Sequence, residues 1–366
     1  MVECDVLLVT DCLNYNDSVS GNYILYKCLK KIKGLRVKVF YLSEYEEANK
    51  IDKDDLLPYI PNWNIADGLE ELVPKLPNHK VLFLTSRDLS HRQIYDICNH
   101  FNSKMVMIAM SHWIFGETQS YPEIYEHFMG KSDFYGDLVN ERYRLYKDIK
   151  AHIIYVSTNS YNVLNQSQFR DIPSTLIPLP FDEIDIDTTE YVKVDENVKT
   201  ILWGTTQPDN LRKGKLYFES ILENLYNMCD NPNTILIKTI GPESKIDTKF
   251  NVEYLGQIPN RTELSKIYRD VDVFALTTLA DAGPMMATEC LKNNTPLVSF
   301  PTNISTDFIS NGKNGYVVDT VEDYAEKLYD IIYNKKYHMD LEHIKAFNSE
   351  EIVLKKYTEF FKNILK

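Results

Sequence analysis

Asp281-Ala-Gly-Pro-Met-Met-Ala-Thr-Glu289 is the stretch that decides how this chain is read. An apolar run, Val271-Asp-Val-Phe-Ala-Leu-Thr277, leads into it. Cys290, Leu291, a turn at Lys292-Asn-Asn-Thr295 and a second apolar run, Pro296-Leu-Val-Ser-Phe300, follow it. The order reads strand, loop, helix, strand, with Asp281 in the loop and Glu289 one to two turns into the helix. In a parallel α/β sheet, ligands bind beyond the carboxyl ends of the strands, at the loop and helix start that follow. Free amides in a first helical turn suit a phosphate. A carboxylate farther along the same helix is placed to accept hydrogen bonds from a pair of sugar or ribose hydroxyls. Together these are the contacts a sugar nucleotide needs. Taken alone, the two carboxylates also read as a helix N-cap and a solvated helix residue, the commoner uses of both. The surrounding chain has to decide.

Outward from that stretch, the chain alternates strand-like and helix-like patterns twice. In the first half, short β-branched runs at 6–10, 37–42, 81–85, 105–110, 153–157 and 176–179 alternate with helical patterns at 22–33, 91–100, 138–149 and 160–168. Such runs suit strands covered on both faces of a parallel sheet. The acidic segment Phe181-Asp-Glu-Ile-Asp-Ile-Asp-Thr-Thr-Glu190 reads as a linker. A second alternation opens at Thr200-Ile-Leu-Trp203 and runs through 213–228, 234–239, 252–255 and 263–268 to the opening stretch, then 315–318 and 321–333. The expected organisation is a first α/β domain over 1–180, a linker over 181–198, a second α/β domain over 199–348 and a terminal helix over 349–366. That helix carries Ile352, Leu354, Tyr357, Phe360, Phe361 and Ile364 on one stripe, so it needs an apolar surface to cover.

Composition narrows the function. A length of 366 residues is enough for two domains with their own cores, and 44% apolar content is ordinary for a globular protein. A net charge of −13, from 40 basic and 53 acidic residues, argues against a nucleic-acid partner. An acidic chain that binds a diphosphate has to concentrate its cations locally. The six cysteines show no CxxC and no metal-like spacing, which suits a reducing compartment. Asp185-Ile-Asp187 has the form of a metal-binding DxD but lies in the charged connector and reads as surface. Asp270-Val-Asp272 has the same form and reads as the end of a helix. No metal or cofactor is expected. The start of the sequence goes straight into a strand-like run and no apolar stretch is long enough to span a bilayer, so the expectation is a soluble, cytoplasmic protein with at most peripheral membrane contact.

The opening stretch resembles the E-x7-E region of retaining glycosyltransferases of the GT-B fold and the family 4 type. Its Asp-first form with a nearby Pro is similar to a branch that builds bacterial-type exopolysaccharides. Four further features fall in the order the family has them. Gly204-Thr-Thr-Gln-Pro-Asp-Asn-Leu-Arg-Lys-Gly214 resembles the family's loop that ends in Arg-Lys-Gly, in which Lys213 matches the lysine that binds the donor's phosphates and Arg212 adds charge. Thr205 stands where many relatives have arginine. Ser20-Gly21-Asn22 resembles the glycine-rich loop facing donor sugar and acceptor, with one glycine where the family often has two; by itself it is a plain turn. His112, in Met110-Ser-His-Trp-Ile114, matches the family's His-Asp-x-Trp region, with Trp113 in place of the Asp; by itself it reads as a hydrogen-bonded structural histidine. Ile177-Pro-Leu-Pro-Phe-Asp182 resembles the hinge sequence without its Asn-Gly, and Asn314-Gly-Tyr-Val-Val318 matches a turn found after the nucleotide site. The resemblance spans roughly residues 5–335 and is strongest over 200–318.

What the resemblance implies is two facing Rossmann-like domains with a cleft between them and a terminal helix crossing back to the first. The second domain takes a nucleoside-diphosphate sugar and the acceptor is a glycan, lipid-linked or other hydroxyl. Glu289 would bind the ribose, Lys213 and Arg212 the diphosphate, and Asp281 the hydroxyls of the transferred sugar. Backbone at Gly21, Gly204, Thr205, Gly283 and Met285 would line the donor (Pro284 has no amide), and His112 would approach the reacting sugar. Two other readings stay open at this stage: a sugar-nucleotide epimerase of the same fold, and a nucleotide-sugar-binding protein without turnover.

Overall fold

The apolar runs of the first half form strands β1 (Val6–Thr10), β2 (Asn14–Tyr15), β3 (Ser18–Val19), β4 (Val37–Tyr41), β5 (Val81–Leu84), β6 (Lys104–Ala109), β7 (His152–Tyr155) and β8 (Ser174–Leu176). The computed structural model describes residues 3–10, 14–15, 18–19, 21–42, 51–85, 89–109, 132–166, 168–180, 197–279, 281, 285–301, 305–335 and 337–366. Six of these strands make one sheet in the order β4-β1-β5-β6-β7-β8, while β2 and β3 pair separately. Every pairing in the six-stranded sheet is parallel, with Val6 opposite both Val37 and Val81. All five residues of β1 are buried, as a strand covered on both faces requires.

Helices Gly21–Lys30, His91–Phe101, Ser132–Asp148 and Thr158–Gln166 alternate with these strands. Local chemistry sets the best-defined of them. Ser90 accepts the Gln93 amide while Gln93 accepts the Ser90 amide, a reciprocal cap at the start of His91–Phe101, and Asn102 in the left-handed region ends it. The Gln93 amide group also donates to the carbonyls of Trp63 and Ala66, tying the preceding loop to the helix. A π-helical turn, Gly68–Leu72, precedes it and has no apolar period to announce it.

The second half forms β9 (Lys199–Gly204), β10 (Ile235–Ile240), β11 (Asn251–Tyr254), β12 (Val273–Leu276), β13 (Leu297–Ser299) and β14 (Gly315–Val317), with helices Lys215–Met228, Arg261–Asp270, Met285–Lys292 and Val321–Asn334 between them. The sheet order is β11-β10-β9-β12-β13-β14, again all parallel. From β9 the chain builds outward through β10 and β11, then returns to the other side of β9 with β12. The loops after β9 and β12 therefore diverge at a topological switch point, where open α/β sheets bind ligands. Asp270 and Asp272 sit at the opposite, amino end of this sheet. Asp270 accepts from Lys238 at 2.7 Å and Asp272 from the amide and hydroxyl of Thr200, so the pair is structural.

The chain divides into two compact units, one holding the described residues up to 180 and from 348 to 366, the other those from 197 to 347. Helix Glu350–Ile364 packs on the first unit: Phe361 lies against Phe83 of β5, Phe360 is edge-on to His152 of β7, and Tyr357 is fully buried. Lys31 pairs with Glu350 at its start, and Lys104 donates to the Ile364 carbonyl at its end. Most of the linker, with Asp185 and Asp187, lies outside the described residues. Among the described residues no helix is long and apolar enough to cross a membrane. Cys4, Cys28, Cys98 and Cys290 are buried. Burial pushes the Cys98 thiol up to about 11, so it is no nucleophile near neutrality.

His79 gives the first unit an acid-sensitive point. Its Nδ1 meets the Pro77 carbonyl at 2.8 Å, its ring packs on Phe101, and burial holds its pKa down to about 4. An unfolded histidine takes up its proton near 6.5, so between these values the unfolded chain binds more protons than the folded one. Stability is therefore unaffected by this group above pH 6.5 and falls as the pH drops toward 4, by up to about 3 kcal/mol. Urea unfolding of wild type and His79→Asn across this range checks it: the variant's slope is expected to be shallower, with burial of His91 and His152 supplying part of what remains, and equal slopes would exclude His79 as a source.

Candidate functional site

Two loops meet at the switch point, and close backbone approaches hold them. Gly204 ends β9 where a Cβ would lie 2.7 Å from Met286 Cε and 3.0 Å from the Ile240 carbonyl. Thr205 follows, buried, with its amide donating to the Ile240 carbonyl at 3.1 Å and its hydroxyl accepting the Gln207 amide at 3.2 Å. Thr205 thus uses its side chain to fold the turn. Asn210 accepts the Arg212 amide and opens the single turn Leu211–Lys213. Gly214, in the left-handed region at φ +72°, closes that turn and begins the helix Lys215–Met228.

Gly214 is where this loop touches the strand next door. A Cβ there would sit 2.0 Å from the Thr277 carbonyl oxygen, just beyond β12. The Thr277 hydroxyl donates to the Lys213 carbonyl at 3.0 Å and accepts from Trp203 Nε1 at 2.9 Å. The Leu279 amide donates to the Arg212 carbonyl at 2.7 Å. So Arg212 and Lys213 are clamped by the loop that leads to Asp281. The outcome is an ion pair: Lys213 Nζ lies 2.9 Å from Asp281 Oδ2, with the side chains 13% and 19% exposed. The sequence reading gave these residues separate partners, phosphate for one and sugar for the other. The fold brings them to each other. A pair this sheltered is costly to break on one side only, because the remaining charge stays out of bulk water.

Glu289 lies on helix Met285–Lys292, which starts beyond β12. It is 6% exposed, so it is not a solvated helix residue. Tyr268, 1% exposed on helix Arg261–Asp270, donates its hydroxyl to Glu289 Oε2 at 2.7 Å. Tyr268 is the residue of this site that sequence reasoning passed over, because no local spacing links the two. The Asn314-Gly315 turn is structural. Asn314 is fully buried, donates to the Phe308 carbonyl and accepts the Ser310 amide. A Cβ on Gly315 would lie 2.0 Å from the Leu297 carbonyl, which only glycine at φ +151° permits. In the first unit Gly21 opens the helix after β3. His112, Gly283 and Pro284 lie outside the described residues, and Met285 begins its helix. Among the described residues no cluster of three His, Cys, Asp or Glu side chains is arranged to hold a metal.

The Gly214 approach can be separated from its backbone strain. Gly34 also has a left-handed φ, +83°, but a Cβ there meets nothing within 4 Å. Gly34→Ala therefore reports strain alone, about 1–2 kcal/mol, whereas Gly214→Ala adds a backbone clash and is expected to cost at least ~2 kcal/mol more. Denaturant unfolding of both variants measures the difference; equal costs would mean that the two loops are not pressed together.

Residues 244–345 match the family model described as Glycosyl transferases group 1, a span that includes Tyr268, Asp281 and Glu289 but not the Gly204–Gly214 loop. No curated protein sequence matches the chain. Several solved structures superpose over nearly its whole length. HepE of Anabaena, crystallised with UDP-glucose, is 12% identical with a TM-score of 0.71, covering 98% of this chain and 100% of its own. Sucrose-phosphate synthase of Thermosynechococcus elongatus is 13% identical with a TM-score of 0.67, covering 99% of each. A UDP-forming trehalose-phosphate synthase of Burkholderia xenovorans is 11% identical with a TM-score of 0.63, covering 99% and 100%. At these identities the likeness is one of fold. The chain has the GT-B fold of two Rossmann-like units, and over residues 244–345 it matches the group 1 glycosyl transferases.

Proposed function

We propose that this protein is a retaining glycosyltransferase that moves a sugar from a nucleoside diphosphate to an acceptor hydroxyl, on the cytoplasmic side and without a metal. One observation carries the reading. A sheltered cation, Lys213, pairs with the carboxylate of Asp281 beyond the carboxyl ends of β9 and β12, at the switch point of a parallel sheet, and the helix that follows carries a second carboxylate, the buried Glu289. In this reading Glu289 accepts the ribose hydroxyls. Lys213 and Arg212 neutralise the diphosphate, while Gly204 and Thr205 let the loop approach it. Asp281, with the amides of Gly283 and Met285, binds the sugar's hydroxyls; Pro284, between them, has no amide to give. Gly21 and His112 are assigned to the reacting sugar on the resemblance.

The reaction follows from those roles. The acceptor oxygen bonds to the anomeric carbon as the bond from that carbon to the diphosphate oxygen breaks. The departing diphosphate keeps the bonding pair and takes the acceptor's proton on the same face. Charge grows on the diphosphate in the transition state, so preorganised cations there lower the barrier most. Holding donor and acceptor in place supplies much of the rest.

The Lys213–Asp281 pair refines this scheme. A diphosphate has to compete with Asp281 for Lys213. An intact donor offers phosphate to Lys213 and sugar hydroxyls to Asp281, so both charges exchange one partner for another. A free nucleoside diphosphate satisfies only the lysine and leaves a carboxylate beside its own negative charge. UDP is the first nucleotide to test, since crystals of HepE hold UDP-glucose. Calorimetry is expected to show Lys213→Ala binding UDP at least tenfold more weakly, about 1.4 kcal/mol, and Asp281→Asn binding it more tightly while transferring sugar more slowly. Wild-type affinities in both variants would remove the donor-site assignment. Transfer from a nucleotide sugar, followed by NMR of the anomeric configuration, is expected to give a retained product that persists in EDTA. Loss in EDTA with rescue by manganese would overturn the metal-free scheme, and epimerised donor without any acceptor would favour the epimerase.

A further inference from the structure

Tyr268 and Glu289 come from different helices and meet in the interior. Both are nearly excluded from solvent, and the tyrosine hydroxyl donates to Oε2 at 2.7 Å. A buried phenol has to place its hydroxyl on a partner. A buried carboxylate in turn needs hydrogen-bond donors around it. The phenol is one such donor, and it holds Oε2 of Glu289 in a fixed place.

Other bonds reinforce the alignment. The Tyr268 carbonyl accepts the Thr295 hydroxyl at 2.6 Å, and Thr295 lies just beyond the helix that carries Glu289. The Thr295 amide returns to the Cys290 carbonyl at 2.9 Å. Asn293 donates from its side chain to the Glu289 carbonyl at 2.9 Å and from its amide to the same oxygen at 3.1 Å. Helix Met285–Lys292 is thus fastened at the middle by the Tyr268 hydroxyl and at its end by the Tyr268 carbonyl. A helix advances about 100° per residue, so a small rotation would swing Glu289 away from any fixed ligand. With one oxygen held, the carboxylate also cannot turn about its own terminal bond.

We infer that Tyr268 is a positioning residue for ribose recognition, fixing the Glu289 carboxylate so that the site prefers ribonucleotides. The inference rests on the donor-site reading above, in which Glu289 meets the ribose. A charge-assisted bond is the stronger kind, so its loss should be measurable through ligand selectivity. Tyr268→Phe removes one oxygen and keeps the ring that fills the core.

The experiment titrates wild type and Tyr268→Phe with UDP, GDP, ADP and CDP, with their 2′-deoxy counterparts, and with pyrophosphate, which has no ribose. For the nucleotide that wild type binds, the variant is expected to lose about five- to tenfold in affinity for the ribo form. The deoxy form and pyrophosphate should stay within about twofold, so the ribose preference collapses. In a Glu289→Gln background the same change should add little, because the two residues act as one unit. Equal weakening of all three ligand types would mean a structural role only, and unchanged ribo affinity would mean no role; either overturns the inference. Wild type that binds no nucleoside diphosphate, or binds one with no ribose preference, overturns the donor-site reading instead, and this inference with it. A separate loss confined to Tyr268→Phe distinguishes the two failures.

Discussion

The arrangement of this site depends on one steric constraint, the passage of the Gly214 backbone against the Thr277 carbonyl. With 2.0 Å between that oxygen and the place a Cβ would occupy, no other residue type fits without moving one of the two loops. Because Gly214 gives way, the Thr277 hydroxyl reaches the Lys213 carbonyl and the Leu279 amide reaches that of Arg212. Trp203 Nε1, from the core strand β9, closes the lattice on the same hydroxyl. The loop that carries the cations is thus bound to the loop that carries Asp281 through backbone groups, leaving the ion pair as a consequence of the packing.

Charge placement has to be understood against a chain with a net charge of −13. Isolated cations in such a field attract any anion, and isolated buried carboxylates repel the ligand the site is proposed to take. Here each carboxylate of the Asp281…Glu289 stretch is held by a side chain from another element, Lys213 for one and Tyr268 for the other. One partner is charged and the other neutral, and the difference matters. A lysine can pass from a carboxylate to a phosphate, whereas a phenol bound inside the core stays where it is. The first contact suits exchange and the second suits alignment.

The two units spend their buried aromatic residues differently. In the first, the terminal helix lays Tyr357, Phe360 and Phe361 over the sheet, so the last residues of the chain complete a core that began with β1. In the second, the stacked pair Trp203 and Phe218 packs the first helix onto β9 directly below the Lys213 turn. Trp203 therefore ties helix Lys215–Met228 through its ring, and the loop after β12 through its Nε1, to strand β9.

Much of this was legible in the sequence. Six β-branched runs on each side of an acidic connector appear as six parallel strands in each unit, because a period of two or a short apolar run is a local property. The stripe Tyr357, Phe360 and Phe361 announced a helix with a surface to cover. The sequence could also nominate Lys213, Asp281 and Glu289 as chemically apt. It could not say that Lys213 faces Asp281 across 68 residues, or that Tyr268 reaches Glu289 across 21. Those meetings depend on β12 returning to lie beside β9, and on the rotation of two helices about their axes. Strand order and helix rotation are settled by how whole faces pack together, and that competition is decided only when the tertiary structure closes.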